Sequence, residues 1–263
     1  MTGATGFGAP ADAYDRFVGR YGPALAAELV ALAGVAPGMR ALDVGCGPGA
    51  LTRAVSDRVG PNGRVAAVDP SEGFAAACRA RVPEAEVRVA PAEALPFRDG
   101  SFDVVAAQLV VNFMADAEAG VREMARVARP GGVVAACVWD YAGGMTLLRA
   151  FWDAAREVEP QAASRADEGV AMPWCREGDL DALWTAAGLV DVRGASVRVN
   201  AAYDDFEDLW TPLPAGVGPA GAWCAGLAPE PRAAVKEALR RRLDVADGPF
   251  VLPARAWAVV GTA

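Results

Sequence analysis

The chain reads as an α/β fold built on a parallel sheet with helices on both faces, and three observations carry that reading. Strand-like and helix-like stretches alternate with short connections from Arg40 to Trp139, the pattern of successive βαβ units. An apolar strand carrying one carboxylate, Ala41-Leu42-Asp43-Val44, stops at a turn with three glycines in five residues, Gly45-Cys46-Gly47-Pro48-Gly49. A chain of 263 residues with 53% hydrophobic content has the size and core of one large α/β domain.

Taken in order, Phe17, Val18, Tyr21, Leu25, Leu29 and Leu32 recur at helical spacing and end in Gly34-Val35-Ala36-Pro37-Gly38, which predicts leading helices and a turn. Strands are then expected over 40–44, 64–68, 86–89, 102–108 and 132–139, with helices over 50–59, 71–82 and 117–128 between them and a turn at Arg129-Pro130-Gly131. Beyond Trp139 the pattern loosens. A helix is expected over 145–158, a polar stretch to Gly169, the segment Met172-Pro173-Trp174, a helix over 179–187 and a strand over 190–199. Residues 203–247 read as helical and broken by Pro and Gly, and 250–260 return to strand character. The expected organisation is one domain: leading helices at 1–38, a ligand-binding core at 39–140, and cap insertions at 141–180 and 203–248. No period of 20 to 50 residues and no low-complexity tract interrupts it.

The net charge of −8 argues against a nucleic-acid backbone or an anionic membrane surface as partner and for a small molecule. Five cysteines without CxxC pairs suggest free thiols and a reducing cytoplasm, and give no metal site. Met1 to Gly8 shows no basic or apolar leader, and the longest apolar stretch is interrupted by Gln108 and Asn112, so neither export nor a membrane span is expected. The sequence contains no histidine, which removes the commonest general base and metal ligand.

Glycines at 45, 47 and 49 let backbone take positive φ and approach a bound molecule, with the N–H groups of the next helix beside it. The turn also satisfies the dinucleotide fingerprint, as Gly45-x-Gly47-x-x-Ala50. Asp69, ending the second strand roughly 20 residues on, suits the ribose hydroxyls of an adenosine and fits either cofactor class. What separates them is the set Leu42-Asp43-Val44-Gly45-Cys46-Gly47-Pro48-Gly49, Val68-Asp69-Pro70-Ser71, Ala92-Glu93-Ala94-Leu95-Pro96-Phe97 and Ser101-Phe102-Asp103-Val104-Val105. In that order it closely resembles the class I S-adenosylmethionine-dependent methyltransferases, particularly the small-molecule type that includes the ubiquinone and menaquinone methyltransferases. The resemblance covers 42–139. It implies a Rossmann-like sheet of seven strands, mostly parallel with one antiparallel strand near the end, and S-adenosylmethionine as cofactor.

The ligand is a zwitterion with a sulfonium and no pyrophosphate, so an acid beside the turn attracts rather than repels it. Asp43 is expected at its amino-acid end, with Cys46 as a small loop residue. The resemblance places Asp69, Pro70 and Ser71 at the ribose, and Ala92 and Glu93 at the adenine. There the chain departs from its relatives, carrying Pro91 where many have an aspartate. Gln108, Leu109 and Val110 fall at the rim where methyl donor and acceptor meet. In the leading helix, aromatics such as Tyr14 are expected near the sulfonium and Arg20 at the carboxylate. Trp139, Tyr141, Trp152, Trp174, Trp210 and Trp223 are candidates for an acceptor pocket or for core. The run Arg240-Arg241-Arg242 reads as a solvated helix face.

The expected reaction is in-line methyl transfer to a small apolar or aromatic molecule. Without histidine, a base would come from Asp140, Tyr141, Tyr14 or a cap carboxylate such as Glu168. The competing readings are an NAD(P)-dependent oxidoreductase, which lacks a Tyr-x-x-x-Lys pair here, and a non-catalytic adenosine-ligand-binding protein of the same fold.

Overall fold

The computed structural model describes residues 11–245 and 247–263; the leader expectation for Met1 to Gly8 lies outside them. The strands β1 (Arg40–Val44), β2 (Arg64–Asp69), β3 (Glu86–Val89), β4 (Phe102–Gln108), β5 (Ala128–Trp139), β6 (Val190–Tyr203) and β7 (Phe250–Thr262) form one seven-stranded sheet. Its order is β3-β2-β1-β4-β5-β7-β6, parallel from β3 to β5, with β7 antiparallel to both of its neighbours.

Ahead of the sheet lie α1 (Ala11–Arg16), a 3-10 turn (Val18–Tyr21) and α2 (Gly22–Leu32). Within it, α3 (Ala50–Val59), α4 (Glu72–Arg81) and α5 (Ala117–Val127) make the crossovers. From β1 the chain winds outward through α3 to β2, and from β4 it winds the other way through α5 to β5. Right-handed crossovers therefore put α3 and α5 on opposite faces and leave a switch point between β1 and β4. Helix α5 shows why such segments are helical: Asp116 caps the Ala119 N–H at 2.9 Å, and Ala117, Gly120, Val121, Met124 and Val127 bury one stripe.

Three expectations change. The turn at Arg129-Pro130-Gly131 is a bulge inside β5, which advances from Ala128 to Val133 while β4 advances only from Phe102 to Val104. Gly131 supplies the positive φ of 74°, and Arg129 anchors the bulge on Asp103 at 2.7 Å. The polar stretch before Gly169 is helical, as α7 (Pro160–Ala166) and α8 (Glu168–Ala171) after α6 (Thr146–Val158). Strand β6 continues to Tyr203, because β7 pairs with it as far as Phe250.

Helix α9 (Asp179–Ala186) packs on β6 and β7, and the second broken stretch folds into α10 (Phe206–Trp210), α11 (Gly218–Gly226) and α12 (Pro229–Leu243). The two cap segments meet through α6 against α12 and α11. Trp139, Trp152, Trp184 and Trp210 are buried, so four of the seven tryptophans fill core. Arg240, Arg241 and Arg242 pair at the surface with Asp247 and Glu157, as a solvated helix face would.

Candidate functional site

The glycine turn lies at the switch point. Gly45 and Cys46 donate to Val68 O at 2.7 and 2.9 Å, tying the turn to the end of β2. Gly45, Gly47 and Gly49 all take positive φ, at 74°, 50° and 101°. At Gly45 the requirement is also steric, since a Cβ there would lie 2.3 Å from Val110 Cγ2, whereas one at Gly47 would meet nothing within 4 Å. The turn is thus closed on its β4 side and open at its middle.

Asp43 is fully buried beneath it. Its Oδ2 accepts from Thr52 Oγ1 at 2.6 Å, while Oδ1 is buried without a hydrogen-bond partner among the described residues. Burial pushes this carboxyl up to about 8, against the opposing bond from Thr52. Asp69 is buried too: Oδ1 accepts from Ser71 N and Oδ2 from Gly47 N, each at 2.8 Å. Burial raises its pKa and those two bonds oppose the rise. Asp69 therefore braces the turn against β2. The cap of α4 is Ser71, whose Oγ accepts from Phe74 N, while Pro70 stays exposed.

At the end of β4, Gln108 donates to Gly22 O at 3.2 Å and leaves Oε1 buried and unpartnered. Leu109 sits at φ 62°, a conformation a non-glycine residue holds only under constraint, with its N–H fixed to Cys137 O at 2.8 Å. Tyr14 reaches over from α1. Its ring meets Phe74 edge-on at 5.8 Å, and its buried hydroxyl is pushed up to about 12, first by burial and then by Asp15, Asp69 and Cys137. Those neighbours place it between the ends of β2 and β5.

Several expected site residues are held elsewhere. Arg20 forms a two-point pair with Asp208, at 2.9 and 3.0 Å. It also donates to Arg16 O and Ala202 O and lies 4.3 Å from the centroid of the Tyr203 ring, so it ties the leading helices to the second cap instead of facing a cofactor carboxylate. Ala92 is buried beside the expected adenine position, but Glu93 Oε1 accepts from Ala115 N and Asp116 N, turning toward the start of α5. Asp140 accepts from Gly143 N through Oδ1 and from Gly144 N and the Arg255 guanidinium through Oδ2, which ties it to the turn that follows β5 and to β7. Its hydrogen bond with Cys78, then burial, keep Cys46 a neutral thiol. Trp152 and Trp223 meet Phe151 edge-on between the caps, and Trp210 lies under Lys236.

Beside Tyr141 the structure assembles a group that the sequence does not reveal as a unit. Tyr141 is buried, and its hydroxyl is raised well above its ordinary value, first by burial and then by the nearby Glu168, with Asn112 opposing the rise. Asn112 keeps Oδ1 unpartnered, and Trp152 donates to Glu168 at 2.9 Å. Asn112 and Thr52 are absent from the sequence-derived site; their signal is a polar residue inside an otherwise apolar run or stripe. A cavity of about 230 Å³ lies away from all this, against β6 and β7 beside Asp181 and Trp257.

A family profile for a methyltransferase domain matches residues 42–136. A ubiquinone/menaquinone biosynthesis C-methyltransferase of Burkholderia vietnamiensis is 40% identical over 110 residues, 40% of this chain and 45% of that protein. An uncharacterized protein of Mycobacterium bovis is 31% identical over 196 residues, 70% of this chain and 68% of its own length. The first curated relatives are thus matched over less than half of their length. A crystal structure assigned as a methyltransferase, from Bacillus halodurans, shares the fold at TM-score 0.59 and 17% identity over 90% of this chain and 97% of that one. The chain belongs to the class I S-adenosylmethionine-dependent methyltransferase family.

The residues present fit that cofactor. Two buried acceptors without partners, Asp43 Oδ1 and Gln108 Oε1, flank an open glycine turn, which suits a cationic ligand rich in donors. Among the described residues no cluster of His, Cys, Asp and Glu could hold a metal ion, and no helix is long and apolar enough to cross a membrane.

Proposed function

We propose that this chain transfers a methyl group from S-adenosylmethionine to a small apolar or aromatic acceptor, and that it works in the cytoplasm with its five cysteines reduced. The observation carrying the reading is Asp43: a buried carboxylate with one oxygen satisfied by Thr52 and the other unpartnered beside an open glycine turn. That geometry suits an ammonium group, held directly or through water, whose charge would return the carboxyl to its ionised form.

The bound cofactor supplies an electrophilic methyl group on a sulfonium. In this reading Asp69 and Gly47 frame the ribose, Ala92 lines the adenine through backbone, and Gln108 and Leu109 form the rim beneath the transferred methyl. Tyr14 closes the site from α1 and helps exclude water. Alignment and water exclusion supply much of the acceleration in a displacement that neutralises charge. The aromatic and apolar walls near Tyr141 and Trp139 favour an apolar acceptor.

Titration calorimetry with S-adenosylmethionine and its demethylated product tests the cofactor assignment. Binding of both at one competitive site is expected, and absence of heat with either refutes it. Turnover by mass spectrometry against phenols, amines and carboxylates then separates an enzyme from a non-catalytic binder.

A further inference from the structure

The first cap buries one carboxylate beside Tyr141, just past the end of β5. Asp167 caps α8, accepting from Gly169 N at 2.8 Å, and is held by Arg149 at 2.8 and 3.2 Å and by Arg156. Gly169 lets α8 sit flush on the end of β5, since a Cβ there would lie 2.8 Å from Tyr141 O. With Asp167 neutralised by two arginines, the next residue, Glu168, turns inward and is almost wholly buried. Among the described residues it has no ion-pair partner, and the Trp152 indole donates to it at 2.9 Å.

Around Glu168 stand Tyr141, Asn112 with its buried unpartnered Oδ1, Met172 and Cys175, and Tyr14 joins this group to Asp69 at the cofactor site. Of the bases open to this chain, Asp140 is paired with the Arg255 guanidinium and two backbone N–H groups, and Tyr14 and Tyr141 have raised pKa values that make their hydroxyls donors. Two buried acceptors, Glu168 and Asn112 Oδ1, lie near the Tyr141 and Trp152 rings, an arrangement that suits a ligand with an O–H group on a ring.

Resting on the methyl-transfer reading, we propose that Glu168 is the proton acceptor for a phenolic methyl acceptor bound beside Tyr141 and Asn112 at the ends of β4 and β5. The phenolic O–H bond breaks and its proton passes to a Glu168 carboxylate oxygen. The oxygen's electron pair forms the new O–CH3 bond as the C–S bond breaks, its pair remaining on sulfur. An aryl methyl ether, a neutral thioether and a protonated Glu168 result, and the proton then leaves to solvent. The step cancels a buried negative and a buried positive charge, which a low-dielectric site favours.

The protonation behaviour agrees. Burial pushes the Glu168 carboxyl up to about 7; the Trp152 bond and Arg149 oppose the rise and Asp167 adds to it. Tyr141 and Cys175 approach it as neutral groups. The base is thus available at neutral pH yet strong enough to take a proton.

The test compares wild type with Glu168→Gln on a series of phenols, from unsubstituted phenol to 4-nitrophenol. The variant is expected to lose about 10²–10⁴-fold in kcat/KM on weakly acidic phenols and little on nitrophenol already ionised at the assay pH. The wild-type profile should rise through a midpoint near 7, which the variant lacks. Binding gives a readout without turnover: loaded with the demethylated cofactor, wild type should take up a proton on binding nitrophenolate, counted by calorimetry in two buffers, and the variant none. Trp152→Phe, which removes the donor favouring the carboxylate, should raise the midpoint by about one unit.

Equal losses across the series, equal proton counts, an unmoved midpoint in Trp152→Phe, or methylation of amines but no phenol each overturn the proposal. Failure of wild type to bind the demethylated cofactor, measured before any phenol is added, refutes the methyltransferase reading instead.

Discussion

Replacing Asp43 with Asn should make the ligand-free protein more stable at neutral pH while crippling its cofactor site. The Asp43 carboxyl rises from 3.8 in the unfolded chain to about 8 in the fold, because burial leaves Oδ1 without a partner. Below the unfolded value both states carry the proton and folding loses nothing. As pH rises toward the folded value, the unfolded chain ionises freely and the fold does not, so stability falls. At pH 7 about three units separate ambient pH from the unfolded pKa, a loss of about 4 kcal/mol at 1.4 kcal/mol per unit. Asn keeps the Thr52 bond through its carbonyl and leaves an unpartnered amide group, costing about 1–3 kcal/mol.

The net expectation is a gain of about 2 kcal/mol near neutrality, or about 4–8 °C in Tm, vanishing or reversing near pH 4. Thermal unfolding of both proteins from about pH 4 to 8 measures it. Cofactor affinity should fall about 10–100-fold by calorimetry, as a charge-assisted hydrogen bond is lost. A variant destabilised by the same amount at every pH, or a wild type whose Tm is flat over this range, would refute the reasoning.

Gly45→Ala forces a Cβ to 2.3 Å from Val110 at φ 74° and should lower stability as well as abolish cofactor binding, whereas Gly47→Ala meets open space in the ligand-free protein, should cost stability only about 1 kcal/mol through its positive φ, and should weaken cofactor binding because its methyl enters the space where the ribose is proposed to lie; circular dichroism and calorimetry separate the two. Arg20→Ala should leave cofactor affinity within about twofold, lower stability by about 1–2 kcal/mol and speed amide exchange around Ala202 and Asp208, because its partners are Asp208 and two carbonyls. Asp140→Asn should weaken the turn over 140–144 and its tie to Arg255, seen as a lower Tm, while leaving the midpoint of the pH–rate profile unchanged.

Much of the cofactor half was legible in the sequence because its signals are local. Strands at 40–44, 86–89 and 102–108 and the helix at 50–59 fall where apolar runs and glycine punctuation put them. The bulge at 129–132 and the helices α7 and α8 were not legible. The first depends on β4 pairing across it, and α8 on arginines at 149 and 156 that neutralise its capping aspartate. Glu93 and Pro91 show the limit at the adenine: the motif marks the loop, but the backbone donors of residues 115 and 116 decide where the carboxylate turns.

By itself the sequence determined the order of strands and helices, the glycine turn, and the acids at the ends of the first two strands, since each depends on residues a few positions apart. Only the tertiary structure decided which charged groups remain available for chemistry. Arg20 is taken by Asp208, 188 residues away, and Asp140 by Arg255, 115 residues away. Glu168 is left buried against Tyr141 with a single indole donor. A side chain's charge state and availability depend on the partners that long-range packing brings to it, and local sequence spacing does not encode them.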